Sequence, residues 1–164
     1  MVDDPALAGP VSHGLARLDA PVLVADIDAD LADTAQFCAR YGVQMSQSAN
    51  CVIVAGRRGD VVRYAACLVL ATTRADVNGI VRRRLDARKA SFAAMDDAVA
   101  LSGMEFGGIT PIGLAGDWLI LVDPAVVSAG TVVIGSGLRR SKLALSGATL
   151  LELPNAELVN GLAG

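Results

Sequence analysis

Histidine is nearly absent: His13 is the only one in 164 residues, and it lies in a Gly/Pro-rich opening stretch. A Ser-His-Asp triad, a Cys-His dyad or a multi-histidine metal centre would rest on that single side chain, so these reaction classes are disfavoured. Cys38, Cys51 and Cys67 are odd in number, widely spaced and without a CxxC pair. That removes a disulfide framework and a zinc ribbon and reads as buried, reduced thiols. Lysine is scarce, with Lys89 and Lys142 set against twelve arginines. Aromatics make up 4% of the chain, too few for a base-stacking platform, so Phe106 and Trp118 are expected in the core. Long apolar runs are missing despite a mean hydropathy of +0.49. The longest charge-free stretches, Tyr41–Gly56 and Pro124–Leu138, are broken by polar residues or glycines, whereas a spanning helix needs about 20 mostly apolar residues. A basic leader is missing as well, since Met1-Val-Asp-Asp-Pro5 opens with acid. A soluble, cytoplasmic protein without a membrane partner is expected.

What is present is a chain 53% hydrophobic with a net charge of −3. Its length suits one compact domain that needs neither disulfide nor structural metal, and its composition excludes disorder. The acid is local. Residues 1–34 hold seven aspartates against Arg17, a net of −6, and residues 35–164 carry a net of +3. Exposed charges more than about 10 Å apart are screened at ordinary salt, so the acidic start need not oppose an anionic partner elsewhere.

Residues 1–10 read as a flexible tail and 11–164 as a single domain. Strands are expected at Pro21–Ala25, Cys51–Ala55, Val61–Ala71, Trp118–Val122, Thr131–Ile134 and Ser141–Leu145, with Gly56–Asp60 as the turn of a hairpin. Helices are expected at Asp30–Tyr41 (stopped by Gly42), Val77–Leu85 and Met95–Leu101 (stopped by Gly103). A last helix is expected from Ser146 through Leu153, and Asp123-Pro124 opens a turn or short helix. The order implies a mixed α/β fold with a partly antiparallel sheet surrounded by helices.

The most unusual segment is Gly107-Gly-Ile-Thr-Pro-Ile-Gly113. Its glycines permit bends and close approach, and Pro111 fixes one dihedral. Such a loop can offer backbone N–H groups to a carbonyl oxygen on which negative charge develops. Together with Asn50-Cys-Val-Ile-Val-Ala55 and Val132-Val-Ile-Gly-Ser-Gly-Leu-Arg-Arg-Ser-Lys142, it resembles the YbaK / prolyl-tRNA-synthetase-associated editing-domain family, from about Thr34 to Ala163.

The resemblance implies a strongly curved mixed sheet and hydrolysis of mischarged aminoacyl-tRNA, usually tRNA for proline carrying a wrong small amino acid. No cofactor and no metal are implied. Partners would be the acceptor end of the aminoacyl-tRNA and, as a second candidate, an aminoacyl-tRNA synthetase. On this reading Asn50, Gly107, Gly108 and Thr110 are catalytic. Ile109, Pro111, Ser136, Gly137, Arg139, Arg140 and Lys142 bind substrate. Many members carry a lysine where this chain has Asn50, and neither lysine is close to it in sequence. A non-catalytic binding module of the same fold is therefore the alternative. Glu105 stands next to the loop as a possible general base or a plain surface carboxylate. The basic run Arg82–Lys89 reads as a solvated helix end, with contact of some of these residues to tRNA phosphates as the alternative.

Overall fold

The computed structural model describes residues 4–164. Its centre is a long hairpin of two ten-residue strands, β2 (Ala49–Arg58) and β3 (Val61–Leu70), paired along their whole length. β1 (Leu23–Asp26) precedes them. The expected five-residue turn shrinks to Gly59-Asp60, because Gly56, Arg57 and Arg58 continue the ladder opposite Arg63, Val62 and Val61. Gly59, at φ +59°, supplies the reversal. β4 (Lys89–Phe92) lies antiparallel on the free side of β2. β5 (Leu119–Val122) runs parallel to β3. A second sheet holds β6 (Thr131–Gly135) and β7 (Ser141–Ser146), and β8 (Ala156–Leu158) closes the first beside β5.

The mixed α/β expectation is met, with the strands divided between two sheets in the orders β4-β2-β3-β5-β8 and β1-β7-β6. Among the described residues, a parallel bridge from Ser48 to Val133 joins them. Residues alternate along β3, so Ala66, Leu68 and Leu70 feed one apolar cluster while Ala65, Cys67 and Val69 feed another. The first cluster lies between the sheets with Ile134, Leu143 and Trp118; the second packs under Val81, Leu85 and Leu162.

Helices are short. α1 (Gly9–Leu15) was unmarked by periodicity; Pro10 is tolerated in its first turn. Gly14 is required there because a Cβ would lie 2.8 Å from the Gly113 nitrogen. The expected tail thus divides: residues 1–3 lie outside the described residues, while Ala8 is buried and Leu7 packs on the core. The helix expected over Asp30–Tyr41 is split. Asp28 accepts from the Asp30 amide and starts a 3₁₀ turn over Ala29–Leu31, and extended Asp33 restarts the chain as α2 (Thr34–Tyr41). The Asp28 carboxylate on a backbone amide, and the extended conformation at Asp33, interrupt what spacing alone would join. Gly42 and Gly103 end α2 and α4 (Met95–Ser102) at φ +70°, as expected. The segment from Val77 begins as a π turn, held by Asp76 on the Gly79 and Ile80 amides, before α3 (Arg82–Arg84). α5 (Pro124–Ser128) follows the Asp123 cap, and the last expected helix is a 3₁₀ segment, Gly147–Glu152. Among the described residues no helix is long and apolar enough to cross a membrane.

Candidate functional site

Where the two sheets meet, a cleft of about 310 Å³ opens beside the Ser48–Val133 bridge. It is lined by the start of β2, from Ala49 to Val52, by Val133–Gly135 of β6 and by Lys142 of β7. Asp33 and Thr34 close one side from the N-terminal end of α2, and Phe106, Gly107 and Ile109 close the other. The volume is at the low end for small-molecule sites.

The glycine loop is locked to the turn after β6 by backbone contacts. The Gly137 amide donates to the Gly108 carbonyl at 2.7 Å, and the Glu105 amide donates to the Gly137 carbonyl at 2.9 Å. A Cβ on Gly108 would stand 2.7 Å from the carbonyl carbon and oxygen of Leu138, so only glycine lets the two segments close. Gly107 has φ +85°, a region that disfavours side chains. The Glu105 carboxylate accepts from the Arg139 amide at 2.8 Å, which makes it a clasp on the turn. Arg139 reaches the Phe106 carbonyl at 3.2 Å and Asp33 at 3.4 Å, tying loop to helix.

The loop amides then divide into two classes. Gly108 N–H donates to the Glu105 carbonyl at 2.9 Å, and Thr110 N–H to the Met104 sulfur at 3.4 Å. Within the loop, the N–H groups of Gly107 and Ile109 have no acceptor among the described residues, and both residues line the cleft, as does Phe106, whose N–H is likewise unpartnered. On the same lining, Thr34 Oγ1 donates to Asn50 Oδ1 at 2.8 Å. That bond uses the carboxamide oxygen and leaves Nδ2 as a donor.

Lys142 is half-buried, with its ammonium 5.2 Å from the Phe37 ring centroid. Burial, and then the neighbouring Arg139 charge, hold its pKa below the usual lysine value. Cys51 also lines the cleft, but burial pushes its thiol well above the ordinary range, and Cys67 is pushed up to about 12. Neither offers a thiolate nucleophile near neutral pH.

A sequence model of the aminoacyl-tRNA editing domain matches residues 28–153, a span that contains every wall of this cleft. The chain belongs to that family.

Solved structures share the editing domain's fold. A protein described only as hypothetical superposes with a TM-score of 0.81 at 20% identity, covering 94% of this chain and 99% of its own. One provisionally described as a trans-editing enzyme for prolyl tRNA synthetase gives 0.79 at 19% identity, covering 97% and 98%. A third, from work on epitope grafting by computational design, gives 0.79 at 20%, covering 96% and 97%. No curated protein matches by sequence.

Within this editing domain, the residues singled out from sequence separate. Asn50, Gly107, Ile109 and Lys142 line the cleft together, although Lys142 lies 92 positions from Asn50 in the chain. Gly108, Ser136 and Gly137 are buried behind the lining, and Ser136 Oγ is spent on Ser141 Oγ at 2.6 Å and on nearby carbonyls. Thr110 is fully buried with its hydroxyl unpartnered, and Pro111 is buried beside it. Arg139 is tied to Asp33, and Arg140 bonds the Pro5 carbonyl. Trp118 is core at 5% exposure, stacked on Tyr64. Phe106, expected beside it in the core, is 50% exposed on the cleft wall, because the Gly107 bend turns the chain at the surface. Asp33 and Thr34 were missed as site residues. Their signal was a helix start, and only the fold brings that start to β2.

Proposed function

We propose that the chain is a free-standing deacylase that hydrolyses the ester of mischarged aminoacyl-tRNA, with tRNA for proline carrying a small wrong amino acid as substrate. The observation that carries this is the pair of unpartnered amides, Gly107 and Ile109, in a small cleft whose lining also presents the Asn50 amide. The ester carbonyl oxygen accepts from the loop amides, which are fixed before substrate arrives and stabilise the oxyanion as water adds to the carbonyl carbon. The C–O bond to the ribose then breaks, and the ribose oxygen takes the proton, releasing free amino acid and tRNA. With Asp33 held by Arg139 and the thiols neutral, proton transfer falls to water and to the substrate's own hydroxyl and amino groups. Asn50 orients the ester end, and Lys142, on the same lining, supplies the cation that many family members carry at the Asn50 position.

Residues 11–164 act as one editing domain in the cytoplasm on this reading. Gly108, Thr110, Pro111, Ser136 and Gly137 act by shaping the loop and turn, and Arg139 and Arg140 flank the entrance. A synthetase is the protein that would hand over the tRNA. Asn50 in place of lysine favours the second reading, a module that binds aminoacyl-tRNA without cleaving it. Deacylation of alanyl-, cysteinyl- and seryl-tRNA for proline separates the two. Accelerated hydrolysis of at least one supports the enzyme, and rates equal to buffer for all three sink it.

A further inference from the structure

A second cavity, of about 510 Å³, opens near the far end of β2. Arg57, Arg82, Arg88 and Lys89 line it with Asn78 and Ser91, and no carboxylate does. The β2–β4 register sets Arg57 directly opposite Lys89, and like charges so placed weaken a ladder. Arg82 is half-buried and anchored, its Nε donating to the Asn78 carbonyl at 2.8 Å and Nη1 to the Ala87 carbonyl at 3.4 Å. The Arg88 amide donates to the Arg57 carbonyl at 2.8 Å, which ties both cations to one backbone junction.

Compensation is found elsewhere. Arg58 and Arg63 share Asp86 at 3.0 and 3.9 Å, Arg84 pairs with Glu157, and Arg139 pairs with Asp33. Among the described residues, none of the four cavity cations has a carboxylate partner. A lone charge guarding the exposed β4 edge would need Lys89 only; it does not account for Arg82 held by two carbonyls. Concave, uncompensated positive charge favours an anion with several closely spaced negative groups. β2 also links the two cavities: Asn50 and Arg57 are seven residues apart, about 23 Å along a strand.

We infer that this cavity binds the phosphate backbone of the RNA whose aminoacyl end occupies the first cleft, an inference that rests on the tRNA reading above. A free polyphosphate would present the same chemistry, so both are tested. The Arg57→Gln/Lys89→Gln double variant removes two exposed cations that repel each other, and its Tm should match or exceed that of the wild type. Binding of deacylated proline tRNA is measured between 50 and 200 mM salt, beside tripolyphosphate and the Lys142→Gln variant. The slope of log affinity against log salt should fall by about 2 in the double variant. Over that fourfold salt range, the wild type then loses about 16-fold more affinity than the variant. Unchanged tRNA affinity and slope in the double variant, with Lys142→Gln weakened, would remove the second cavity and leave the first reading standing. Tripolyphosphate binding as tightly as tRNA would overturn the RNA assignment. A wild type that binds no tRNA would overturn both.

Discussion

Replacing Gly108 with alanine moves the loop without altering any side chain of the cleft. The new Cβ would sit 2.7 Å from Leu138 carbonyl atoms and 2.9 Å from its nitrogen, and this neighbour is backbone, pinned by Glu105 and by the Gly137–Gly108 hydrogen bond. To regain an ordinary contact of 3.4 Å the loop must retreat by about 0.7 Å. Overpacking of this kind costs about 1–3 kcal/mol, which for a chain of this size lowers Tm by about 2–12 °C. The amides of Gly107 and Ile109 move with it. Misplacement approaching 1 Å in a positioned site lowers turnover by up to about 100-fold. Single-turnover deacylation of the best mischarged tRNA, run well below the variant's Tm, reads the second effect, and a thermal melt reads the first. Gly116→Ala, where a Cβ meets nothing within 4 Å, is the matched control and should change neither. Wild-type turnover in a Gly108→Ala protein with a lowered Tm would refute the role given to the loop amides.

Three further outcomes are expected. Asn50→Ala should slow deacylation more than Thr34→Val does. The latter removes only the bond that orients the carboxamide, worth about 0.5–1.5 kcal/mol or roughly 2- to 13-fold; equal rates for both variants and the wild type would dismiss Asn50. Lys142→Met should weaken tRNA binding without loss of stability, because burial already disfavours the ammonium. Since the unfolded chain then holds that proton more tightly, wild-type stability relative to Lys142→Met should rise as pH climbs from neutral toward 10.5. Denaturant melts at pH 7.5 and 9.5 check this, and a difference that falls between them contradicts it. Cys51→Ser should retain turnover within a few-fold, because its thiol stays neutral; abolished hydrolysis in a folded variant would instead make the sulfur a participant.

The parts of the fold legible in sequence were those with strong local causes. Apolar runs marked β2, β3, β5 and β6, and Gly42 and Gly103 stopped their helices in the left-handed conformation. β4 was not legible, because Lys-Ala-Ser-Phe alternates over only four residues, holds three weak strand formers and follows a basic run. β8 was hidden by its length of three residues and by Asn155, whose positive φ turns the chain just before it. At the site, the glycine loop was legible because its composition is itself the constraint. The partnership of Asn50 with Thr34, and the arrival of Lys142 on the same lining, depend on how two sheets meet at the Ser48–Val133 bridge, which no local pattern encodes.

The donors in the glycine loop belong to main chain at Gly107 and Ile109, which has a consequence for how the cleft can be probed. An alanine scan leaves both N–H groups in place, so at Ile109 it reports on the side chain and not on the donor. Replacing the peptide bond before Ile109 with an ester, by installing an α-hydroxy acid at that position, deletes the N–H and retains the side chain. For the same reason the side chains of Val52 and Ile109, both on the lining, can drift to suit a different aminoacyl group while the hydrogen-bonding apparatus stays constant.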